Sequence, residues 1–314
     1  MTGEHAYDAL VIRPALPAGA EAGAGAIAEL PVRARSAYWR AGWRRPGNEP
    51  GCLNVHTCAR RVPPHPYDRR RAESMRVEIW TDIACPWCYV GKARFEKALA
   101  AFPHRDQVEV VHRSFELDPH RAKGDVEPVL TMLTRKYGMS QAQAEAGEDN
   151  LGAQAAAEGL DYRTRDRDHG NTFDMHRLLH LAKEHGRQDA LLDALYRANF
   201  AEERSVFAEG DERLVDLAVA AGLDAGAVRA VLADPDAYAD DVRADEQEAA
   251  QLGASGVPFF VLDRAYGVSG AQPAEVFTQA LTQAWGDRAP LTLVQDGSAD
   301  AAACGPDGCA VPGA

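Results

Sequence analysis

The segment Cys85-Pro86-Trp87-Cys88 constrains this chain more than any other stretch of it. Before it, Val77 and Ile79 alternate with Arg76, Glu78 and Trp80, the two-residue period of a strand. After it, Phe95, Leu99 and Phe102 recur at helical spacing until Pro103 ends the run. Val108 and Val110 open a second alternating strand that reaches about Phe115. The cysteines therefore stand at the N-terminus of the helix in a β-α-β unit. Unpaired amides give that terminus partial positive charge, which favours a thiolate, so Cys85 is the expected nucleophile. Pro86 lacks the amide hydrogen that the first turn leaves unpaired in any case. Cys88 lies one turn on, on the same face and within disulfide reach. The expected cycle is attack of Cys85 on a substrate disulfide, a mixed disulfide, and resolution by Cys88. A lone C-x-x-C is also half of a zinc site, or two buried thiols, but zinc knuckles rarely lie between a strand and an amphipathic helix.

The rest of the chain supplies the frame. Residues 125–254 read as almost wholly helical, with apolar stripes at Met175, Leu178, Leu179 and Ala182 and at Leu214, Leu217, Ala218 and Ala221. Asp211 and Asp224 are the expected N-caps, and Gly222 the stop between them. Strand character returns at Phe259–Leu262 and Tyr266–Ser269 around an Asp263-Arg264 hairpin. Pro273 suits the start of a last helix whose apolar face is Val276, Phe277, Ala280, Leu281 and Ala284. The order β-α-β, helices, β-β-α is an α/β thioredoxin fold with a large helical domain inserted between its halves. The expected division is 75–124 plus 255–287 for the thioredoxin-fold domain, 125–254 for the insertion and 288–314 for a flexible tail.

Charge and cysteine usage narrow the class. A net charge of -13 argues against a nucleic-acid partner, because neutralising phosphates needs surplus Lys and Arg. No apolar run approaches the ~20 residues that cross a bilayer, and Glu4 stands where a signal peptide would be basic. A cytoplasmic, non-membrane protein is expected. The six cysteines form three close pairs, Cys52/Cys58, Cys85/Cys88 and Cys304/Cys309, which in a reducing compartment read as redox or metal sites rather than a disulfide framework. Residues 1–74 carry eleven Arg, no Lys and seven acidic residues, without sustained periodicity. That segment is expected to be disordered or over-extended upstream translation, with Met75 as the biological start. No role is assigned to Cys52 or Cys58. The apolar insertion could support a homodimer.

Gly256-Val257-Pro258-Phe259-Phe260 places a proline just before the third main strand, where a cis bond would pack against the cysteine pair and leave backbone free for a substrate. A trans proline at a strand start is the plainer alternative. These features together resemble the DsbA-like thioredoxin superfamily, and within it the FrnE-type branch. The resemblance rests on Asp82-Ile83-Ala84-Cys85-Pro86-Trp87-Cys88-Tyr89-Val90-Gly91-Lys92, then Asn171-Thr172, His176-Arg177, Phe207-Ala208-Glu209-Gly210 and Gly256-Val257-Pro258, and covers about 75 to 285. It implies a protein disulfide oxidoreductase with a redox-active Cys85–Cys88 disulfide and with Pro258 shaping the substrate edge. Pro86, Trp87, Val257 and His176 would line the groove. No cofactor is required; glutathione enters as a reductant or co-substrate. The partners implied are disulfide-containing proteins or small thiols, with a thioredoxin or glutathione system for recycling.

The same superfamily holds 2-hydroxychromene-2-carboxylate isomerases and kappa-class glutathione transferases, which typically carry Ser where Cys85 stands. A glutathione-dependent isomerase or transferase is therefore one alternative, and a redox-regulated client-binding chaperone another. Trp87 replaces the His of periplasmic oxidase members and offers the thiolate neither its donor nor its charge, so a less oxidising couple is expected. Cys304-Gly305-Pro306-Asp307-Gly308-Cys309 has turn chemistry that can bring two sulfurs together. It reads as an auxiliary redox pair, as two idle thiols, or as a zinc site shared with the first pair. His176 and His180, four apart on one helix, have a metal-binding spacing but no third ligand nearby, and hydrogen-bonded or solvated histidines are the expectation; no metal is assigned. Asp82 reads equally as an aid to proton transfer at Cys88 or as a turn residue, and Lys92 as a surface charge.

Overall fold

The alternation around Val77 becomes strand β1 (Met75–Thr81), and three further strands assemble about it. A computed structural model describes residues 74–288 and the backbone of Cys304–Gly305 and Gly308–Cys309. The readings made for 1–73, for Cys52 and Cys58, and for the rest of the tail lie outside the described residues. From β1 the chain turns through Asp82–Ala84 into α1 (Pro86–Ala101) and returns in β2 (Val108–Ser114). That return is parallel to β1, with Val77 opposite Val110 and Thr81 opposite Ser114. A parallel pair needs a crossover of this kind, and α1 supplies it.

The insertion opens with a feature the helical reading missed. Two-residue strands β3 (Glu127–Pro128) and β4 (Asp168–His169) pair antiparallel and bracket α2 (Val129–Tyr137) and α3 (Gln141–Ala157). Two residues carry no period to read. Five helices follow: α4 (Phe173–Glu184), α5 (Gln188–Phe200), α6 (Asp211–Ala220), α7 (Ala225–Ala233) and α8 (Ala239–Gln251). Asp224 caps α7, its carboxylate accepting from the Ala227 amide at 2.9 Å. Asp211 does not cap α6. Gly210 holds the cap position, and Asp211 is the first helical residue, its carboxylate 2.7 Å from Lys123.

Strands β5 (Phe259–Leu262) and β6 (Tyr266–Ser269) complete the sheet in the order β2-β1-β5-β6, with β5 antiparallel to both neighbours. Asp263 and Arg264 turn the hairpin with φ of 52° and 58°, the left-handed pair that suits a right-twisted ribbon. Helix α9 (Ala274–Gly286) follows. Strands β7 (Cys304–Gly305) and β8 (Gly308–Cys309) pair antiparallel with Cys304 opposite Cys309.

Both faces of the main sheet are covered. Phe95 and Ala98 of α1 and Phe277, Ala280, Leu281 and Ala284 of α9 pack on Met75, Val77, Ile79, Phe260 and Val268. On the other face, Trp80, Phe259 and Val261 meet Ala249 and Leu252 from the end of α8. The alternation in β1 thus separates two interiors rather than core from solvent. Glu78, only 1% exposed, tolerates this because Arg113 and Arg264 both donate to it. A third apolar cluster fills the helical insertion and takes in Ile83, Cys85 and Cys88. The cysteine pair therefore sits where the insertion's core meets the tip of the sheet.

Candidate redox site

Cys85 is the residue that starts α1. Its backbone is extended (φ -90°, ψ 111°), its side chain makes no capping bond, and Pro86 follows in the first turn. The sulfur is thereby left to face outward from the helix end, 3.6 Å from the Val257 carbonyl oxygen. The Val257–Pro258 bond is cis. Pairing of β5 with β1 begins at Phe259, so the Gly256–Val257 edge extends beyond the ladder next to the sulfur. Gly91 makes this approach possible. A methyl group there would stand 2.9 Å from Pro258 Cγ and 3.3 Å from Ala271 Cα. Cys88 lies one turn deeper and is 1% exposed against 4% for Cys85; both are free thiols.

Buried polar groups hold this loop in place. Asp82, itself 1% exposed, accepts from the Leu117 amide at 2.7 Å and the Ala84 amide at 3.2 Å, and stands 3.4 Å from His176 Nε2. Burial by itself would raise its carboxyl, but His176, the Leu117 amide and the Thr172 hydroxyl prevail and hold it below the usual range. Asn199 of α5 donates to the Ile83 carbonyl at 2.8 Å. At the end of β1 the hydroxyls of Thr81 and Tyr196 are hydrogen-bonded to each other. Burial, then the neighbouring Cys85 sulfur, push the Cys88 thiol well up, while the Thr81 hydroxyl and the Asp82 amide work against that rise. Desolvation and the nearby Cys88 sulfur likewise raise the Tyr196 phenol.

A cleft of about 900 Å³ opens over Cys85. One wall is Pro86, Trp87, Val257 and Pro258; the facing wall brings Met132, Leu133 and Tyr137 of α2 and Leu151 of α3. Of the residues expected in the groove, Pro86, Trp87 and Val257 are there. His176 is not: it is fully buried beneath the loop, against Asp82. His180 points elsewhere, to Ser114 at 3.1 Å and Asp245 at 3.3 Å, so the two histidines meet separate carboxylates. Lys92 is also no surface charge. It is 5% exposed and lies 2.7 Å from Asp193 and 3.1 Å from Asp189, with Glu96 as a third partner.

Sequence reasoning passed over Thr81, Tyr196 and Asn199, whose partners are 115 or more residues away and leave no local pattern. For Gly91 a signal existed: a glycine inside a helix often marks a close approach.

Comparison with known proteins agrees with this geometry. The DSBA-like thioredoxin domain family matches residues 76–282. The crystal structure of a probable DsbA oxidoreductase from Streptomyces coelicolor is 84% identical and superposes with a TM-score of 0.67, covering 76% of this chain and all of the other. A putative protein disulfide isomerase from Nitrosomonas europaea shares the fold at 16% identity, with a TM-score of 0.52 over 68% of this chain and 99% of the other. An uncharacterised Bacillus subtilis protein, YwbO, is 26% identical over 211 residues, which are 67% of this chain and 96% of that one.

Proposed function

The chain belongs to the DSBA-like thioredoxin domain family, and from that premise we propose that it exchanges disulfides with protein substrates through Cys85 and Cys88. The observation that carries this reading is the asymmetry of the two thiols. Cys85 stands at the helix end beside the cis-proline edge and lines the cleft, whereas Cys88 is sealed beneath it. Cys85 is accordingly the attacking sulfur. It forms the mixed disulfide, with the substrate backbone lying along Gly256–Val257. Cys88 then resolves it, leaving the pair oxidised and the substrate reduced, and the reverse sequence oxidises a dithiol.

The cleft favours polypeptide over glutathione as the main reactant. Each cation that lines it is already engaged. Arg94 donates to Glu158, Gln154 and the Ala271 carbonyl, and Arg167 to Glu148, Tyr162 and the Arg163 carbonyl. Lys136 donates to the Leu117 carbonyl and lies 3.5 Å from Asp118. A tripeptide with two carboxylates would have to displace one of these pairs, whereas an extended chain needs only backbone pairing and the apolar wall of Met132, Leu133 and Leu151. Recycling by a thioredoxin or glutathione system, a cytoplasmic setting and an auxiliary role for Cys304 and Cys309 complete the proposal.

Insulin reduction driven by dithiothreitol tests it. Cys85→Ser abolishes turnover, and Cys88→Ser retains clients as mixed disulfides that dithiothreitol releases. Turnover that survives Cys85→Ser rejects the mechanism.

A further inference from the structure

Helices α2 and α3 carry the apolar wall that faces Cys85, yet among the described residues neither helix contributes to the three apolar clusters that hold the rest of the fold. Shared apolar burial is the main adhesive between elements, so polar ties decide how this wall sits. At its base the β3–β4 ladder joins it to the chain around His169. On α2, Lys136 donates to the Leu117 carbonyl from an exposed position. On α3, Glu148 and Asp149 pair with Arg167 and Arg165, both within the insertion. Two cations of α1 reach the end of α3 from the thioredoxin half. Lys97 is exposed and 3.7 Å from Glu158, a pair of little worth. The other is Arg94.

The Arg94 guanidinium meets both walls at once. Its Nε donates to Glu158 Oε1 at 2.8 Å and its Nη2 to Gln154 Oε1 at 2.6 Å, both on the α3 side. Its Nη1 donates to the Ala271 carbonyl at 2.7 Å. Ala271 follows Gly270, whose amide donates to the Pro258 carbonyl at 2.8 Å, so this third bond reaches the backing of the cis-proline edge. The Arg94 and Glu158 side chains are only 12% and 13% exposed, which limits screening by solvent. Three diverging acceptors suit a rigid planar fork of donors, and a lysine would offer them one flexible point charge.

Resting on the exchange reaction proposed above, we propose that Arg94 is a positioning residue that sets the gap between the Val257–Pro258 edge and α3, and that this gap selects extended polypeptide over small disulfides. A polypeptide segment lying along the edge touches Leu151 and Met132 across the gap, and its affinity depends on their distance. A small disulfide reaches Cys85 without meeting that wall. Breaking the clamp lets the wall drift, so the fraction of enzyme with a matched gap falls and polypeptide affinity falls with it. The sulfur chemistry at Cys85 and Cys88 is untouched.

The clamp is best broken from the α3 side, at Glu158, which does not line the cleft. In dithiothreitol-driven insulin reduction, Glu158→Ala raises KM roughly tenfold, the lower end of what a hydrogen bond to a charged group is worth, and moves kcat by less than about twofold. Reduction of bis(2-hydroxyethyl) disulfide by pre-reduced enzyme, followed as loss of enzyme thiols, changes by less than about twofold. Glu158→Gln keeps an acceptor for Arg94 Nε and restores the insulin KM. An unchanged insulin KM in Glu158→Ala, or equal slowing with insulin and with the small disulfide, overturns the proposal. If circular dichroism shows Glu158→Ala unfolded, Gln154→Ala decides by the same split between KM and kcat, and an unmoved KM is the contrary result. Wild-type enzyme that reduces neither disulfide refutes the exchange reading itself rather than this refinement of it.

Discussion

Replacing Gly91 with alanine sets two known effects against each other at one atom. In a helix interior the change is worth about 1 kcal/mol of added stability, because alanine loses less backbone entropy on folding. At this site the new methyl would lie 2.9 Å from Pro258 Cγ and 3.3 Å from both Cα and Cβ of Ala271. The first is part of a closed ring and the second is backbone, so neither can rotate away as a flexible side chain would. Forcing a methyl into a packed interior costs about 1–3 kcal/mol, and the stiffness of these neighbours places the cost in the upper half of that range. The expected net change in Gly91→Ala is therefore a loss of about 1–2 kcal/mol. Because the displaced atoms belong to the proposed substrate edge, dithiothreitol-driven insulin reduction falls about tenfold or more, as misplacement near 1 Å does. Urea unfolding followed by circular dichroism gives the stability, read at constant m. Gly147→Ala is the control, since a methyl in that part of α3 meets only Met139 Cε at 3.9 Å. It should gain up to about 1 kcal/mol. Gly91→Ala that gains as much as the control, with its rate unchanged, refutes the claim that this glycine is demanded by the proline's approach.

Three further outcomes follow from the same structure. Arg177 is 2% exposed and donates to the carbonyls of Val231, Asp234 and Ala237 at 2.6, 2.7 and 3.1 Å, besides pairing with Asp174. Arg177→Leu leaves those carbonyls unmet and should cost about 3–5 kcal/mol in urea unfolding; a loss below 1 kcal/mol contradicts it. Asp82 is held below the usual carboxylate range, so its stabilising contribution is fully present above the unfolded value of about 3.9 and is lost as pH falls through the lower folded one. Asp82→Asn should therefore flatten the loss of stability seen below about pH 4; a urea midpoint that falls with pH in parallel to wild type counts against this. Trp87→His should raise the reduction potential of the pair, measured by equilibration with glutathione, whereas a wild-type couple already near -120 mV speaks against the assigned role of Trp87.

Most of the frame was legible because it is written in local periods. The alternation at Val77 and Ile79, the helical spacing of Phe95 and Leu99, and the two short strands around Asp263-Arg264 each report burial within a few residues of themselves. The C-x-x-C between a strand and a helix then marks the chemistry, since its two sulfurs need only one helical turn to meet. What failed did so where a distant element intervened. Glu78 alternates with the apolar positions of β1, but the end of α8 covers that face too, and Arg113 and Arg264 make its burial tolerable. Lys92 reads as exposed until α5 brings Asp189 and Asp193 against it. His176 reads as a groove residue until the loop at Asp82 closes over it.

The sequence by itself determined the kind of fold and the placing of two cysteines one turn apart at a helix end, because helix ends and residue spacing are local properties. Tertiary structure alone decided what surrounds the sulfurs. The hydroxyl pair of Thr81 and Tyr196 joins residues 115 positions apart, and the carbonyl beside Cys85 comes from 172 positions away. Contacts of that separation are set by how the insertion packs on the sheet, and no period along the chain encodes them.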